Sequence, residues 1–223
     1  MKDYRVLVTG GSRGIGKATV DLYREHGYEV CAPTREEMDL SSPQSVTQFI
    51  EGNQDKRFLA LINNAGINHI NFIESMNAAE INEMLQVNLL SPLQLIKGFV
   101  PCMKQAGFGR VVNIGSIWGV ISKPGRTGYS MTKHGVHGLT KTLALELAKD
   151  GILVNTVAPG QTLTELTKKN NSAEEIRQMA RDIPLGRLAA PGEIAKAVYF
   201  LGTEENTYIT GQELVVDGGL TIQ

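Results

Sequence analysis

Cysteine is nearly missing: Cys31 and Cys102 are the two in 223 residues. Two isolated thiols build no disulfide framework and stand in no metal-ligand spacing, so a reducing compartment is expected. Neither sign of charge dominates. Lys and Arg together number 22 against 23 Asp and Glu, a formal net charge of −1. That leaves no basic footprint for nucleic acid or for an anionic membrane surface. No apolar run is long enough to span a bilayer, and the chain opens almost directly into Arg5-Val6-Leu7-Val8-Thr9 instead of a signal segment. A cytoplasmic location is the expectation. Internal repeats, low-complexity stretches and dividing linkers are missing too, and 223 residues suit one sizeable core better than two. Residues 1–223 therefore read as a single domain. Among the 4 histidines, His134 and His137 are three apart on one helical pattern, with no third ligand at metal spacing. Packing or an oligomer contact is expected of them, and no metal.

What is present is alternation. Short runs rich in Val, Ile and Leu at 5–9, 29–32, 58–62, 110–114, 153–158 and 213–216 read as strands. Between them lie amphipathic patterns at 15–26, 43–51, 79–105, 129–149 and 192–201, which read as helices. Buried strands alternating with helices predict an α/β fold: a Rossmann-like doubly wound parallel sheet in three α/β/α layers, with ligands at the carboxyl ends of the strands. Residues 161–183 are polar and read as a lid-like loop over a ligand, and 122–127 also reads as loop.

The first strand runs into Val8-Thr9-Gly10-Gly11-Ser12-Arg13-Gly14-Ile15-Gly16-Lys17 and then a helix. Glycines at 10, 14 and 16 permit a tight turn, a close approach to a pyrophosphate and helix-on-strand packing, while the helix N-terminus aims free N–H groups at the anion. The run is similar to the cofactor motif of the short-chain dehydrogenase/reductase family, in its single-domain branch. The resemblance places Gly10, Ser12, Arg13, Gly14, Ile15 and Gly16 around the cofactor.

Twenty or so residues beyond such a turn, an acid usually holds the NAD ribose and an arginine accommodates the NADP phosphate. Thr34 stands at the acid position and Arg35 follows it. With Arg13 as a second cation, NADP(H) is expected ahead of NAD(H); a shift in register would instead put Glu36 or Glu37 on the ribose. Asp39-Leu40 resembles the family's closure of the adenine pocket, yet arrives only a few residues after Arg35, as though the usual intervening helix were absent. This abbreviation resembles some nucleotide-sugar reductases of the extended branch.

Further matches follow in family order. Asn63-Asn64-Ala65-Gly66 resembles the signature that supports the sheet and lies along the adenosine, through Asn63, Ala65 and Gly66. Tyr129 and Lys133 are four apart at the start of a helix and project from one face. An ammonium there would stabilise a phenolate and pull the phenol's pKa down from ~10. The family implies that Tyr129 is the general acid or base and that Lys133 also holds the nicotinamide ribose. It implies further that Ser116 bonds the substrate oxygen and that Asn88 kinks a long helix and orders a water beside the lysine. Pro159, Gly160 and Thr162 resemble the turn that receives the nicotinamide.

The tail, from Tyr208-Ile209-Thr210-Gly211 to Asp217-Gly218-Gly219, and the segments Leu185-Gly186-Arg187 and Pro191-Gly192-Glu193 resemble bacterial 3-oxoacyl-carrier-protein reductases and their relatives. The expected activity is NADP(H)-dependent interconversion of a ketone and a secondary alcohol on a small-molecule substrate. The polar 161–183 stretch, with Lys168, Lys169 and Arg126, favours a polar or anionic substrate such as a keto-sugar. A 3-oxoacyl-carrier-protein substrate is the alternative, and a non-catalytic NADP-binding sensor or scaffold is the rival of another class. The apolar residues Leu89, Leu90, Leu93, Leu95, Ile96 and Phe99 exceed what one sheet face covers, so a homo-oligomer, a tetramer or else a dimer, is expected.

Overall fold

The computed structural model describes residues 4–223. Six strands, β1 (Arg5–Val8), β2 (Glu29–Cys31), β3 (Phe58–Asn63), β4 (Gly109–Ile114), β5 (Ile152–Pro159) and β6 (Glu213–Val216), form one sheet in the order β2-β1-β3-β4-β5-β6. Every neighbouring pair is parallel. Each strand starts and ends within a residue or so of its expected position. Runs of Val, Ile and Leu buried on both faces have no other stable home than a covered parallel sheet.

Alternation along the strands divides the apolar core in two. Val6, Val8, Ala60 and Ile62 face α1 (Gly14–Glu25) and α8 (Pro191–Gly202), joining Val20, Tyr23, Ile194 and Val198. Leu7, Leu59 and Leu61 face the other way, onto Val46, Ile50, Leu95, Phe99 and Met103. Those last residues belong to α2 (Pro43–Glu51) and α4 (Ser91–Ala106). From β2 at the sheet edge the chain crosses to β3 on the far side of β1. The strand order thus reverses between β1 and β3, the place where an open α/β sheet leaves a crevice.

Two expectations change and one is refined. The long helix at 79–105 is α3 (Ala78–Leu85), a π-helical turn (Gln86–Leu90) at the kink that the resemblance implied for Asn88, and then α4, because buried Asn88 is wedged into the turn by bonds to other segments. The 161–183 stretch is mostly helical: α6 (Glu165–Asn170) and α7 (Ala173–Arg181) start at caps made by Thr164 and Ser172. A cap hydroxyl followed by an acid is a start signal that the polar composition obscured. The helix expected from 129 begins earlier, as α5 (Thr127–Leu147). The missing helix after β2 is real: residues 32–42 hold turns and no helix before α2.

The apolar excess on α4 is also smaller than expected. Leu95, Ile96 and Phe99 are core, which leaves Leu90 and Leu93, with Met131 and Leu145 on α5, as the exposed apolar side chains of this face.

Candidate active site

The glycine turn is held shut from behind. Thr9 Oγ1 accepts from the backbone N–H of Asn64 and of Ala65, both at 3.0 Å, and Asn64 Nδ2 donates to the carbonyls of Thr9 and Gly10 at 2.9 and 3.1 Å. Gly10 and Gly14 take positive φ values of 65° and 56°, where a side chain is strained. A Cβ on Gly16 would sit 2.1 Å from the Gly10 carbonyl oxygen. The turn is a cradle with no room for side chains.

In front of it lies a cleft of about 630 Å³ at the switch point. Gly10, Ser12, Arg13, Ile15, Gly16, Arg35, Asp39, Leu40, Ala65 and Gly66 all line it. Thr164 and Leu166, from the start of α6, close it from above. Gly14 serves the backbone turn and packs toward Thr164 instead of lining the cleft. Asn63 does not face the cleft either. It is buried, and its Nδ2 donates to Asn113 Oδ1 at 2.8 Å inside the sheet. Strand alternation sends 63 into the core and leaves 64 to brace the turn, so the first of two adjacent asparagines was given the wrong face. Thr9 and Asn64 are the supporting residues that sequence reading passed over.

At the far end, Arg35 Nε lies 3.3 Å from Asp39 Oδ2, and both residues border the cleft. Hydrogen bonds from Ser41 hold the Asp39 carboxyl below its ordinary range. Glu37 is taken up locally, accepting from the Thr34 N–H at 2.8 Å. Neither Glu36 nor Glu37 lines the cleft, which removes the shifted register.

The π-helical turn and α5 bring the second group together. Asn88 Oδ1 accepts from Ile67 N–H at 2.9 Å, while its Nδ2 donates to Ile67 O at 2.9 Å and to Thr132 Oγ1 at 3.1 Å. Lys133 is buried, with Nζ donating to Ile114 O at 2.7 Å and lying 5.5 Å from the Tyr129 ring centroid. Gly66 ties this group to the cleft wall: a Cβ there would lie 3.3 Å from Asn88 Oδ1 and 3.7 Å from Lys133 Nζ. Ser116, buried at the end of β4, stands near enough to Tyr129 for its hydroxyl to act on the phenol's pKa.

The electrostatics differ from the expectation in one respect. Burial pushes the Tyr129 phenol up, opposed by the Ser116 hydroxyl and by the charge of Arg126. Lys133 has no part in that balance; burial pulls its own pKa down to about 8. Its ammonium is spent on the Ile114 carbonyl, so in the free protein Tyr129 is a protonated acid.

Pro159 ends β5, and Thr162 is buried beside it, its Oγ1 donating to Gly160 O at 3.1 Å. Gly160 has no room for a side chain, since a Cβ would meet Asp217 at 2.7 Å.

A family model described as "Enoyl-(Acyl carrier protein) reductase" matches residues 34–221. The 3-oxoacyl-[acyl-carrier-protein] reductase FabG of Vibrio cholerae serotype O1 is 36% identical, over 96% of this chain and 96% of that protein. The chain belongs to the short-chain dehydrogenase/reductase family. Among solved structures, ElxO with NADP bound is 31% identical and covers 100% of both chains at a TM-score of 0.93. The ligand-free aldohexose dehydrogenase AldT of Thermoplasma acidophilum is 32% identical, covering 100% of this chain and 95% of that one at 0.94.

This short-chain dehydrogenase/reductase is an oxidoreductase. Some outlying expectations fall away. Lys168 and Lys169 are exposed in the last turn of α6, where they favour the helix dipole and do not line the cleft. The histidines keep their expected packing role: His134 Nδ1 bonds the Ser130 carbonyl at 2.9 Å and His137 meets the Glu213 carboxylate. Arg126, by contrast, stands beside Tyr129.

Proposed function

We propose that this enzyme exchanges a hydride between NADP(H) and a ketone or secondary alcohol, with Ser116, Tyr129, Lys133 and Asn88 as its catalytic group. The observation that carries the reading is the Ser116–Tyr129 hydroxyl pair above a buried Lys133, one glycine away from the cleft wall. The dinucleotide fits this chain: the cradle a Cβ would fill suits a pyrophosphate, and Arg13 and Arg35 border the cleft while Glu36 and Glu37 do not. NADPH supplies the hydride when bound. Ser116 Oγ orients and polarises the carbonyl oxygen, and Tyr129 Oη gives it a proton, so C=O becomes CH–OH. Lys133, charged below about pH 8, holds the Ile114 carbonyl at the strand end that leads to Ser116, and Asn88 keeps Thr132 and the Ile67 loop in place around it. A paired Ser and Tyr hydroxyl matches a carbonyl oxygen, which favours ketone chemistry over the sensor or scaffold reading.

The substrate we propose is polar or anionic, with a keto-sugar ahead of a carrier-bound 3-oxoacyl group; the carrier protein of the FabG relative and the aldohexose of AldT represent the two sides. NADPH oxidation against acetoacetyl thioesters, keto-sugars and apolar cyclic ketones tests it. Brisk reduction of the apolar ketones alone overturns the substrate class, and no turnover with any carbonyl overturns the enzyme assignment.

Cofactor choice is separately measurable. NADPH should bind more tightly than NADH, and Arg35→Ala should narrow the gap by about 10-fold or more, the worth of a charge-assisted contact to a phosphate. Equal affinities in the wild type point away from Arg35. In pH profiles, reduction should be level below about pH 8 and fall above it as Lys133 loses its proton. A profile that rises through pH 8 contradicts that role. Leu90, Leu93, Met131 and Leu145 further support a closed homo-oligomer, a tetramer before a dimer, in the cytoplasm. Among the described residues no helix is long and apolar enough to cross a membrane.

A further inference from the structure

We propose that Arg126, seated by Trp118 beside the Ser116–Tyr129 pair, is a substrate subsite that selects ketones bearing a carboxylate near the reacting carbon. The inference rests on the catalytic reading above and names the chemistry of its substrate more narrowly.

Arg126 is the residue before α5, three positions ahead of Tyr129, and its carbonyl accepts the Ser130 N–H at 2.7 Å. That bond fixes the backbone on the first turn of the catalytic helix. The guanidinium lies near the Trp118 ring, with Cζ 5.9 Å from the centroid. It is half-buried, and its Nε is buried with no hydrogen-bond partner. Among the described residues no carboxylate pairs with it, unlike Arg35, Arg177, Arg181 and Arg187, whose partners lie within 3.3 Å. A cation withdrawn from water and left unpaired is costly. It is the arrangement expected where a ligand brings the missing anion. Its charge reaches the reacting centre, since it is felt by the Tyr129 phenol.

The surroundings narrow the ligand. Trp118 follows Ser116 by two residues, and its backbone N–H donates to Ser116 Oγ at 3.2 Å, so the turn that carries the indole is tied to the proposed carbonyl-polarising hydroxyl. Lys123 Nζ lies 5.5 Å from the same ring. Ile70 lies 3.2 Å from where a Cβ on Gly125, the residue before Arg126, would stand, and it is exposed, as is Phe72. One guanidinium fork among apolar side chains matches a singly charged planar carboxylate, which it can grip with two parallel bonds.

The test compares acetoacetate with its methyl ester as NADPH-dependent substrates of the wild type, Arg126→Gln and Arg126→Lys. The wild type should favour acetoacetate through KM. Arg126→Gln should raise that KM about 10- to 100-fold relative to the ester, with kcat moving less, and Arg126→Lys should recover part of the loss. Equal slowing of both substrates would assign Arg126 to the fold or to Tyr129 and overturn the subsite. A second readout needs no turnover. Trp118 is the chain's one tryptophan, so its fluorescence reports 3-hydroxybutyrate or the methyl ester titrated into NADP⁺-loaded protein. Saturation by the carboxylate alone, lost in Arg126→Gln, upholds the subsite even if no ketone is reduced, a result that would sink the catalytic reading by itself. No response to the carboxylate, or the same response to the ester, overturns the subsite.

Discussion

Tyr129→Phe should leave a folded protein that binds NADPH and reduces its ketone ~10²–10⁴-fold more slowly, the usual contribution of a positioned general acid. The substitution keeps the ring, its packing and its place over Lys133, and removes one hydroxyl from a side chain that is only partly buried. The structural cost is the phenol's contact with Ser116, about 1 kcal/mol at most; Ser116 Oγ retains the Trp118 backbone N–H. Binding and turnover therefore separate. The checks are single-turnover NADPH oxidation, NADPH titration and a thermal melt on one preparation. A variant that melts and binds like the wild type while retaining a tenth or more of its rate would remove Tyr129 from the mechanism.

Gly16→Ala should damage the cofactor site more than any other single methyl group. The new Cβ would stand 2.1 Å from the Gly10 carbonyl oxygen and 2.4 Å from Asn64 Nδ2. Both belong to the brace that closes the glycine turn, so α1 must move away from β1 or Asn64 must abandon the Thr9 and Gly10 carbonyls. Overpacking of this kind costs about 1–3 kcal/mol, and the displacement falls where the pyrophosphate is expected. NADPH affinity should drop at least ~10-fold, with a lower denaturation midpoint. Gly192→Ala is the contrast: nothing lies within 4 Å of its Cβ position, and the melt should not move. Calorimetric titration beside chemical denaturation decides the matter. Wild-type affinity and midpoint in Gly16→Ala would mean that the turn is looser than its geometry states.

What the sequence determined by itself was whatever short spacings encode. Strand and helix alternation, the glycines at 10, 14 and 16, and Tyr129 with Lys133 one helical turn on are local patterns. Backbone periodicity converts such patterns directly into shared faces and turns. Tertiary structure decided the rest, where separate segments compete for the same groups. Which of two adjacent asparagines braces the turn depended on the pleat of β3 and on Asn113, fifty residues away. The break in the long helix came from Asn88 bonding Ile67 and Thr132 in preference to the helix ladder. The protonation of Tyr129 turned on burial and on the Ile114 carbonyl claiming Lys133, neither of which spacing records. The same holds for the cations: Arg126, Lys168 and Lys169 are alike in composition, and only the packing of α5 against the Trp118 turn sets Arg126 beside the tyrosine while the two lysines face solvent. Charge near a reacting atom is a property of long-range contacts, and those form only when the sheet brings the strand ends together.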